Sequence, residues 1–146
     1  MVKKRMVIPF AALILGLPLV AGAALEQAKQ VRRITVPELK EKLDSEEKFL
    51  LIDVREDREI KENGAIPGAI QITIAELEGR MEDIPRDIEV VFYCQGGGRA
   101  SRAAEKFLKA GYKSGQFCGI RDWKKEGQKV IGKVDRPEEG SIRPKP

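Results

Sequence analysis

The chain has 146 residues, with 27 lysines and arginines, 23 aspartates and glutamates, two cysteines and no histidine. This length fits one domain, and contents of 42% hydrophobic and 34% charged residues are typical of a globular chain. The lack of histidine excludes a Ser-His-Asp triad, a Cys-His pair and a histidine-ligated metal. Two cysteines are too few for a four-thiolate zinc site or a disulfide-rich scaffold.

The first 23 residues have the pattern of a secretory signal. Residues 3–5 are all cations, residues 7–20 are largely apolar, and Ala-Gly-Ala at 21–23 is a typical cleavage site. The apolar stretch has 14 residues, whereas a membrane-spanning helix needs about 20. We therefore expect residues 1–23 to be a cleaved signal peptide, with an uncleaved membrane anchor as the alternative. The mature chain would begin near Ala24 and work in the periplasm or as a secreted protein.

The net charge of +4 arises mainly from this first segment, because residues 1–23 carry three cations and no acid. The rest of the chain has 24 basic and 23 acidic side chains. A body so close to neutral gives no electrostatic reason to expect nucleic acid as a partner.

The mature chain begins with a polar segment, 24–33, which predicts a loose lead-in to a domain over residues 34–134. Thr35 and Glu38 have the spacing of a capping box and predict a helix start. Residues 49–54 form an apolar run bounded by charges, which predicts a buried strand. A short charged helix over 56–63 and an apolar stretch at 70–72 follow.

Further along, Thr73 and Glu76 repeat the capping-box spacing and predict a helix that ends at Met81. Residues 90–93 predict a second buried strand, 100–110 a helix, 116–118 a short strand and 120–126 a short helix. Prolines from residue 135 onward predict a disordered tail to residue 146. The alternation of strands and helices predicts an α/β fold with an open, mainly parallel sheet and helices on both faces.

A candidate reactive loop lies between the second buried strand and the helix after it. The strand ends at Cys94, and the loop that follows consists of Gln95, Gly96, Gly97, Gly98 and Arg99. Ligands of open α/β sheets bind beyond the carboxyl ends of the strands. Glycines let the backbone turn its N–H groups inward, and a helix N-terminus adds partial positive charge. This cradle favours a thiolate and predicts a nucleophilic cysteine; an inert buried thiol and a phosphate-binding loop are the alternatives.

The order of these motifs resembles that of the rhodanese family over about residues 33–131. The family has Asp-Val-Arg after its first buried strand, a Gly-His-Ile-Pro-Gly-Ala turn, a Cys-x-x-Gly-x-Arg loop and a closing Gly-Gly-Ile-x-x-Trp. The matching positions are Asp53, Arg55, Gly64, Ile66, Pro67, Gly68, Ala69, Cys94, Gly97, Arg99, Gly119, Ile120 and Trp123. Ala65 stands where the family often has histidine, and Cys118 stands where it has the first glycine of the closing pair.

The resemblance implies a rhodanese-like fold and sulfur transfer that needs no metal or organic cofactor. The Cys94 thiolate would take sulfur from a donor such as thiosulfate as a persulfide and pass it to cyanide or a thiol. Backbone N–H groups of residues 95–99 would hold the persulfide, and Arg99 would attract anionic substrates and anchor the loop. Phosphatases of this fold have five residues between Cys and Arg, whereas this loop has four, which disfavours phosphatase or arsenate-reductase activity.

Three more residues are candidates for a part in the site. Asp53 and Arg55 predict an ion pair that is either purely structural or braces the site. Cys118 would end a strand on the same rim as Cys94, where it either fills the space of a former glycine or forms a disulfide in an oxidising compartment. The disulfide hypothesis describes a thiol–disulfide redox protein with a redox protein as partner. A non-catalytic binding module is a third hypothesis, which the complete loop disfavours.

Overall fold

The computed structural model describes residues 30–142, which form one sheet of five parallel strands with the order β1-β5-β4-β2-β3. The strands are β1 (Arg32–Arg33), β2 (Phe49–Asp53), β3 (Ile70–Gln71), β4 (Glu89–Cys94) and β5 (Ser114–Gly119). The central strand β4 is apolar because both of its faces are covered, and Val90, Val91 and Phe92 are fully buried. The predicted open parallel sheet is confirmed.

Within residues 30–142, four helices cover the two faces of the sheet, as predicted. They are α1 (Val36–Asp44), α2 (Asp57–Asn63), α3 (Gly98–Lys109) and α4 (Ile120–Lys125). Helix α3 packs on one face through its alanines and Phe107, in the same core cluster as Cys94. Helices α1, α2 and α4 cover the other face through Leu39, Ile60 and Trp123. The cysteine loop between β4 and α3 therefore stands at the carboxyl edge of a sheet that is packed from both sides.

The capping box at the start of α1 forms as predicted, because the Thr35 side chain accepts from the Glu38 N–H and the Glu38 carboxylate accepts from the Thr35 N–H. The predicted helix over residues 73–81 is wrong. Thr73 and Glu76 make the same reciprocal hydrogen bonds, but turns follow, and only a single 3₁₀ turn, Met81–Asp83, is helical. Because Gly79 interrupts a short segment and short helices are marginal in themselves, the cap does not nucleate an α-helix.

Parts of the predicted loose lead-in and of the predicted disordered tail pack against the sheet where the structure describes them. Within the predicted lead-in, Arg33 belongs to β1 and lies in register with Phe117 of β5. In the predicted tail, the Asp135 carbonyl accepts from the Gln71 N–H (2.8 Å), and Ile142 is buried in the core. These residues are held because the sheet offers unpaired backbone groups and apolar space. Residues 1–29, with the predicted signal peptide, and 143–146 lie outside the described residues.

Between residues 30 and 142 no helix is both long and apolar enough to cross a membrane.

Candidate active site

Cys94 is the last residue of β4 and is only 2% exposed. The backbone N–H of Gly97 donates to its Sγ atom at 3.1 Å. Residues 95–97 form the loop, and α3 begins directly after them at Gly98. A main-chain donor and the positive end of a 12-residue helix thus both lie beside the sulfur. This arrangement can hold a negatively charged sulfur, as the glycine pattern predicted.

Gly97 allows this loop conformation because its φ is +100°, in the region that side chains disfavour. A Cβ atom at this position would also lie 2.5 Å from Nη2 of Arg33. Backbone geometry therefore favours glycine at residue 97, and a side chain there would also displace the Arg33 guanidinium.

Gly119, at the end of β5, packs closely against the outer side of the loop. A Cβ atom there would lie 2.9 Å from the carbonyl carbon and 3.0 Å from the Cα atom of Gly96. The N–H of Arg121 donates to the carbonyl of Gln95 at 3.2 Å, which adds a main-chain contact from α4. The start of the loop therefore rests directly on the junction of β5 and α4.

Asp53 and Arg55 form the predicted ion pair, with 2.6 Å between Arg55 Nη2 and Asp53 Oδ2, and both side chains are fully buried. Arg55 also donates to the carbonyl of Gly64 at 2.8 Å and to the side-chain oxygen of Gln95 at 3.4 Å. Burial works against the charge of Arg55, but the bond to Asp53 outweighs it and raises the Arg55 pKa above its ordinary value. Through Gln95 the buried pair contacts the loop, which fits the interpretation that it braces the site.

Arg99 does not lie free at the site. Its Nη1 and Nη2 atoms donate to the two carboxylate oxygens of Glu59 on α2, at 2.8 and 2.5 Å. The hydrogen bond from Arg99 lowers the pKa of Glu59 below its ordinary value. This geometry fits the predicted role of loop anchor, and the charge that was expected to attract substrates is compensated by Glu59.

Cys118 lies opposite Tyr93 in the register of β4 and β5, whereas Cys94 lies opposite Gly119. Because successive residues of a strand point to opposite faces, the two thiols belong to different core clusters. Both are free, and burial raises the pKa of Cys118 to about 12. This placement fits the interpretation of Cys118 as a space-filling residue and disfavours a disulfide with Cys94.

Three side chains near the loop were not singled out by the sequence. Glu59 anchors Arg99, Arg33 contacts Gly96, and the Arg121 guanidinium lies near Gly96 with no hydrogen bond or ion pair to any residue of the described range. No periodicity identifies them, because each acts on a segment far away in the chain. The one available signal is that Arg121 comes soon after β5 and that Glu59 lies in the first turn of the helix after β2, so both are near the edge where the loop lies.

No metal site is formed by the described part of the chain, since nowhere in it do three histidine, cysteine or acidic side chains come together. A surface cavity of about 580 Å³ lies at the amino end of β2, beside Lys42 and Gly68 and away from Cys94. Cys94 therefore lies at the opposite edge of the sheet from this cavity.

Known proteins share this architecture. The model of the rhodanese-like domain family matches residues 35–126. A sulfurtransferase from Allochromatium vinosum is 32% identical over 105 residues, which cover 69% of this chain and 95% of that protein. Human thiosulfate:glutathione sulfurtransferase is 32% identical over 106 residues, which cover 62% of this chain and 90% of the human one. A rhodanese-related protein from Thermoplasma volcanium superposes with a TM-score of 0.63 at 29% identity, covering 70% of this chain and 99% of its own. With its parallel sheet, its cysteine loop and these relatives, the chain belongs to the rhodanese-like family, among whose members are proteins named as sulfurtransferases.

Proposed function

We propose that this protein moves a sulfane sulfur from an anionic donor such as thiosulfate, through a persulfide on Cys94, to cyanide or a thiol. The observation that carries this proposal is the 3.1 Å hydrogen bond from the Gly97 N–H to the Cys94 Sγ atom. Hydrogen bonds to an ionised group favour the ionised form, and the thiolate is the nucleophilic form of cysteine. The names of the relatives support the transfer of sulfur as the general chemistry.

The reaction has two half-reactions, and electrons balance in each. The Cys94 thiolate attacks the outer sulfur of thiosulfate, a new S–S bond forms, and sulfite leaves with the electron pair of the old one. Cyanide or a thiolate then attacks the outer sulfur of the persulfide, and the Cys94 thiolate leaves. No oxidant is consumed, and the covalent intermediate predicts ping-pong kinetics.

A cation beside the loop favours an anionic donor. Arg121 is exposed and unpaired within residues 30–142. An unpaired guanidinium attracts an oxyanion and binds it in two-point geometry. Since Glu59 compensates the charge of Arg99, Arg121 replaces Arg99 as our candidate for docking the donor.

The test is intact-mass measurement after incubation with thiosulfate, together with thiocyanate formation. The wild-type protein should gain one sulfur atom, and Cys94→Ser should lose both the adduct and the turnover. Cys118→Ala is the matched control, because it removes the other thiol and should keep both. Turnover that persists in Cys94→Ser would disprove the proposal, and loss of turnover in Cys118→Ala alone would favour the redox function instead.

Export belongs to the same proposal and is supported by the pattern of residues 1–23. Mass spectrometry of the protein from its native host should find an N-terminus near Ala24 in a soluble extracytoplasmic fraction. A full-length chain in the membrane fraction would instead support the uncleaved anchor.

A further inference from the structure

Arg33, the last residue of β1, contacts the outer side of the cysteine loop. Its Nη2 atom donates to the carbonyl oxygen of Gly96 at 2.8 Å. Its Nη1 atom donates to a carboxylate oxygen of Asp122 on α4 at 2.7 Å. The guanidinium also lies over the ring of Phe117, 5.3 Å from its centroid. Arg33 is thus held in place from two sides while it binds the loop.

The carbonyl that Arg33 binds belongs to the same peptide unit as the N–H that binds the sulfur. The unit between Gly96 and Gly97 accepts from Arg33 through its oxygen and donates to Cys94 through its nitrogen. In a trans peptide the C=O and N–H bonds point in opposite directions. A donor that fixes the oxygen on the outside of the loop therefore directs the N–H inward to the sulfur.

The charge of Arg33, like its position, favours the hydrogen bond from the Gly97 N–H to Cys94. A cation bound to a carbonyl oxygen polarises the peptide and makes its N–H a better donor, since hydrogen bonds in a chain strengthen one another. The preceding carbonyl, of Gln95, is held by the main-chain N–H of Arg121 and so does not depend on a side chain. The peptide that touches Cys94 is the one whose orientation depends on a replaceable side chain.

We propose that Arg33 is a positioning residue that favours the Cys94 thiolate by orienting and polarising the Gly96–Gly97 peptide. It acts through this peptide and not by contact with the substrate. The inference rests on the proposed function in taking Cys94 as the nucleophile. It adds a determinant of nucleophile reactivity that lies in the first strand, 63 residues away from Gly96 in the chain.

The chain offers a matched control in the neighbouring residue. Arg32 is exposed, precedes Arg33 in the same strand and pairs with Glu38 at 3.1 Å. Side chains of adjacent strand residues point to opposite sides, so Arg32 does not share the loop contact. The variants Arg33→Gln and Arg32→Gln therefore remove the same charge from the same strand, and only one of them touches the loop.

The experiment measures the rate at which iodoacetamide alkylates Cys94 as a function of pH, with the Cys94 peptide followed by mass spectrometry, and thiosulfate turnover in parallel. For Arg33→Gln we expect the midpoint of the alkylation profile to move upward by about half a pH unit or more, and kcat/KM to fall about threefold to tenfold. Arg33→Lys, which keeps the charge with one contact, should lie between Arg33→Gln and the wild type. Arg32→Gln should match the wild type in both measurements.

An alkylation midpoint of Arg33→Gln equal to that of the wild type would overturn the inference, whatever happens to turnover. A loss of turnover with an unchanged midpoint would assign Arg33 a merely structural role. If Arg33→Gln does not fold, the midpoint of Arg33→Lys decides in the same way. Failure of the proposed function is distinguishable, because a wild-type protein that gains no sulfur from thiosulfate still has a measurable alkylation profile.

Discussion

Arg99 and Glu59 form a two-point ion pair that connects the first turn of α3 to α2, with Nη–Oε distances of 2.8 and 2.5 Å. The Arg99 and Glu59 side chains are 33% and 22% exposed, so solvent screens the pair only in part. The residue that closes the cysteine loop is thereby tied to the helix that follows β2. We therefore propose that Arg99 fixes the loop.

A double-mutant cycle of Arg99→Gln and Glu59→Gln should therefore reveal coupling. We expect about 1 kcal/mol of coupling in the free energy of unfolding, because the geometry is bidentate and the pair is partly buried. Chemical denaturation of the two single variants and the double variant measures it. Additive effects of the two substitutions would contradict the anchoring role.

The coupling free energy between Arg99 and Glu59 should depend on pH. The hydrogen bond from Arg99 lowers the pKa of Glu59 in the folded protein below its ordinary value of 4.5, so the folded state favours the carboxylate. The stabilisation is then complete above that ordinary value and is lost as the pH falls through the lowered one. Coupling measured at about pH 7 should shrink in an acid series, and coupling that grows in acid would refute this assignment.

Arg121 should contribute to the binding of anionic donors. We expect Arg121→Gln to raise KM for thiosulfate about threefold to tenfold with little change in kcat, because a docking cation is lost and the nucleophile is not altered. Lys124→Gln, on the same helix, is the control and should leave KM unchanged. Wild-type KM should also rise with ionic strength, and a KM independent of both Arg121 and salt would remove Arg121 from the site.

Gly119 should be intolerant of any side chain. A Cβ atom at this position meets the backbone of Gly96, whereas a Cβ atom at Gly98 meets nothing within 4 Å and the φ of Gly98 is not positive. We expect Gly119→Ala to displace the loop and lower kcat at least about tenfold, since small misplacements of reacting groups are costly. Gly98→Ala should keep most activity. Equal activity of the two alanine variants, measured by thiocyanate formation, would show that the loop does not need this close approach.

The two thiols should differ sharply in reactivity. Burial raises the pKa of Cys118 to about 12, so Cys118 stays protonated at neutral and mildly alkaline pH. At about pH 8 we expect iodoacetamide to label Cys94 in the native protein and both thiols in denaturant. Non-reducing peptide mapping after mild oxidation should find no bond between Cys94 and Cys118. A native Cys94–Cys118 disulfide would restore the redox hypothesis.

The site was predictable from the sequence where its parts are adjacent in the chain. Cys94, the glycines and the start of α3 form one continuous segment, and the order of the motifs placed them at the edge of a parallel sheet. The partners Arg33 and Glu59 were not predictable, because they lie 63 and 40 residues from the loop positions that they bind. Only the folded sheet brings such distant segments together.

The face on which Cys118 lies also could not be read from the sequence. It depends on the register of β5 against β4, and that register shifts at an irregularity between Val90 and Val91. A shift of one residue moves every later side chain to the other face. The sequence placed both thiols at the same rim correctly, but it held no information on which sides of the sheet they occupy.

The segment after α4 bears on how readily the protein aggregates at high concentration. The outer strand β3 has only two residues, and an uncovered strand edge is a template for pairing with another chain. The Gln71 N–H is already bound by the Asp135 carbonyl, and Arg136 fastens this segment through ion pairs with Asp57 and Glu76. The segment at Asp135 and Arg136 thereby covers the free edge of β3, and we expect a chain cut before residue 135 to aggregate more readily through that edge.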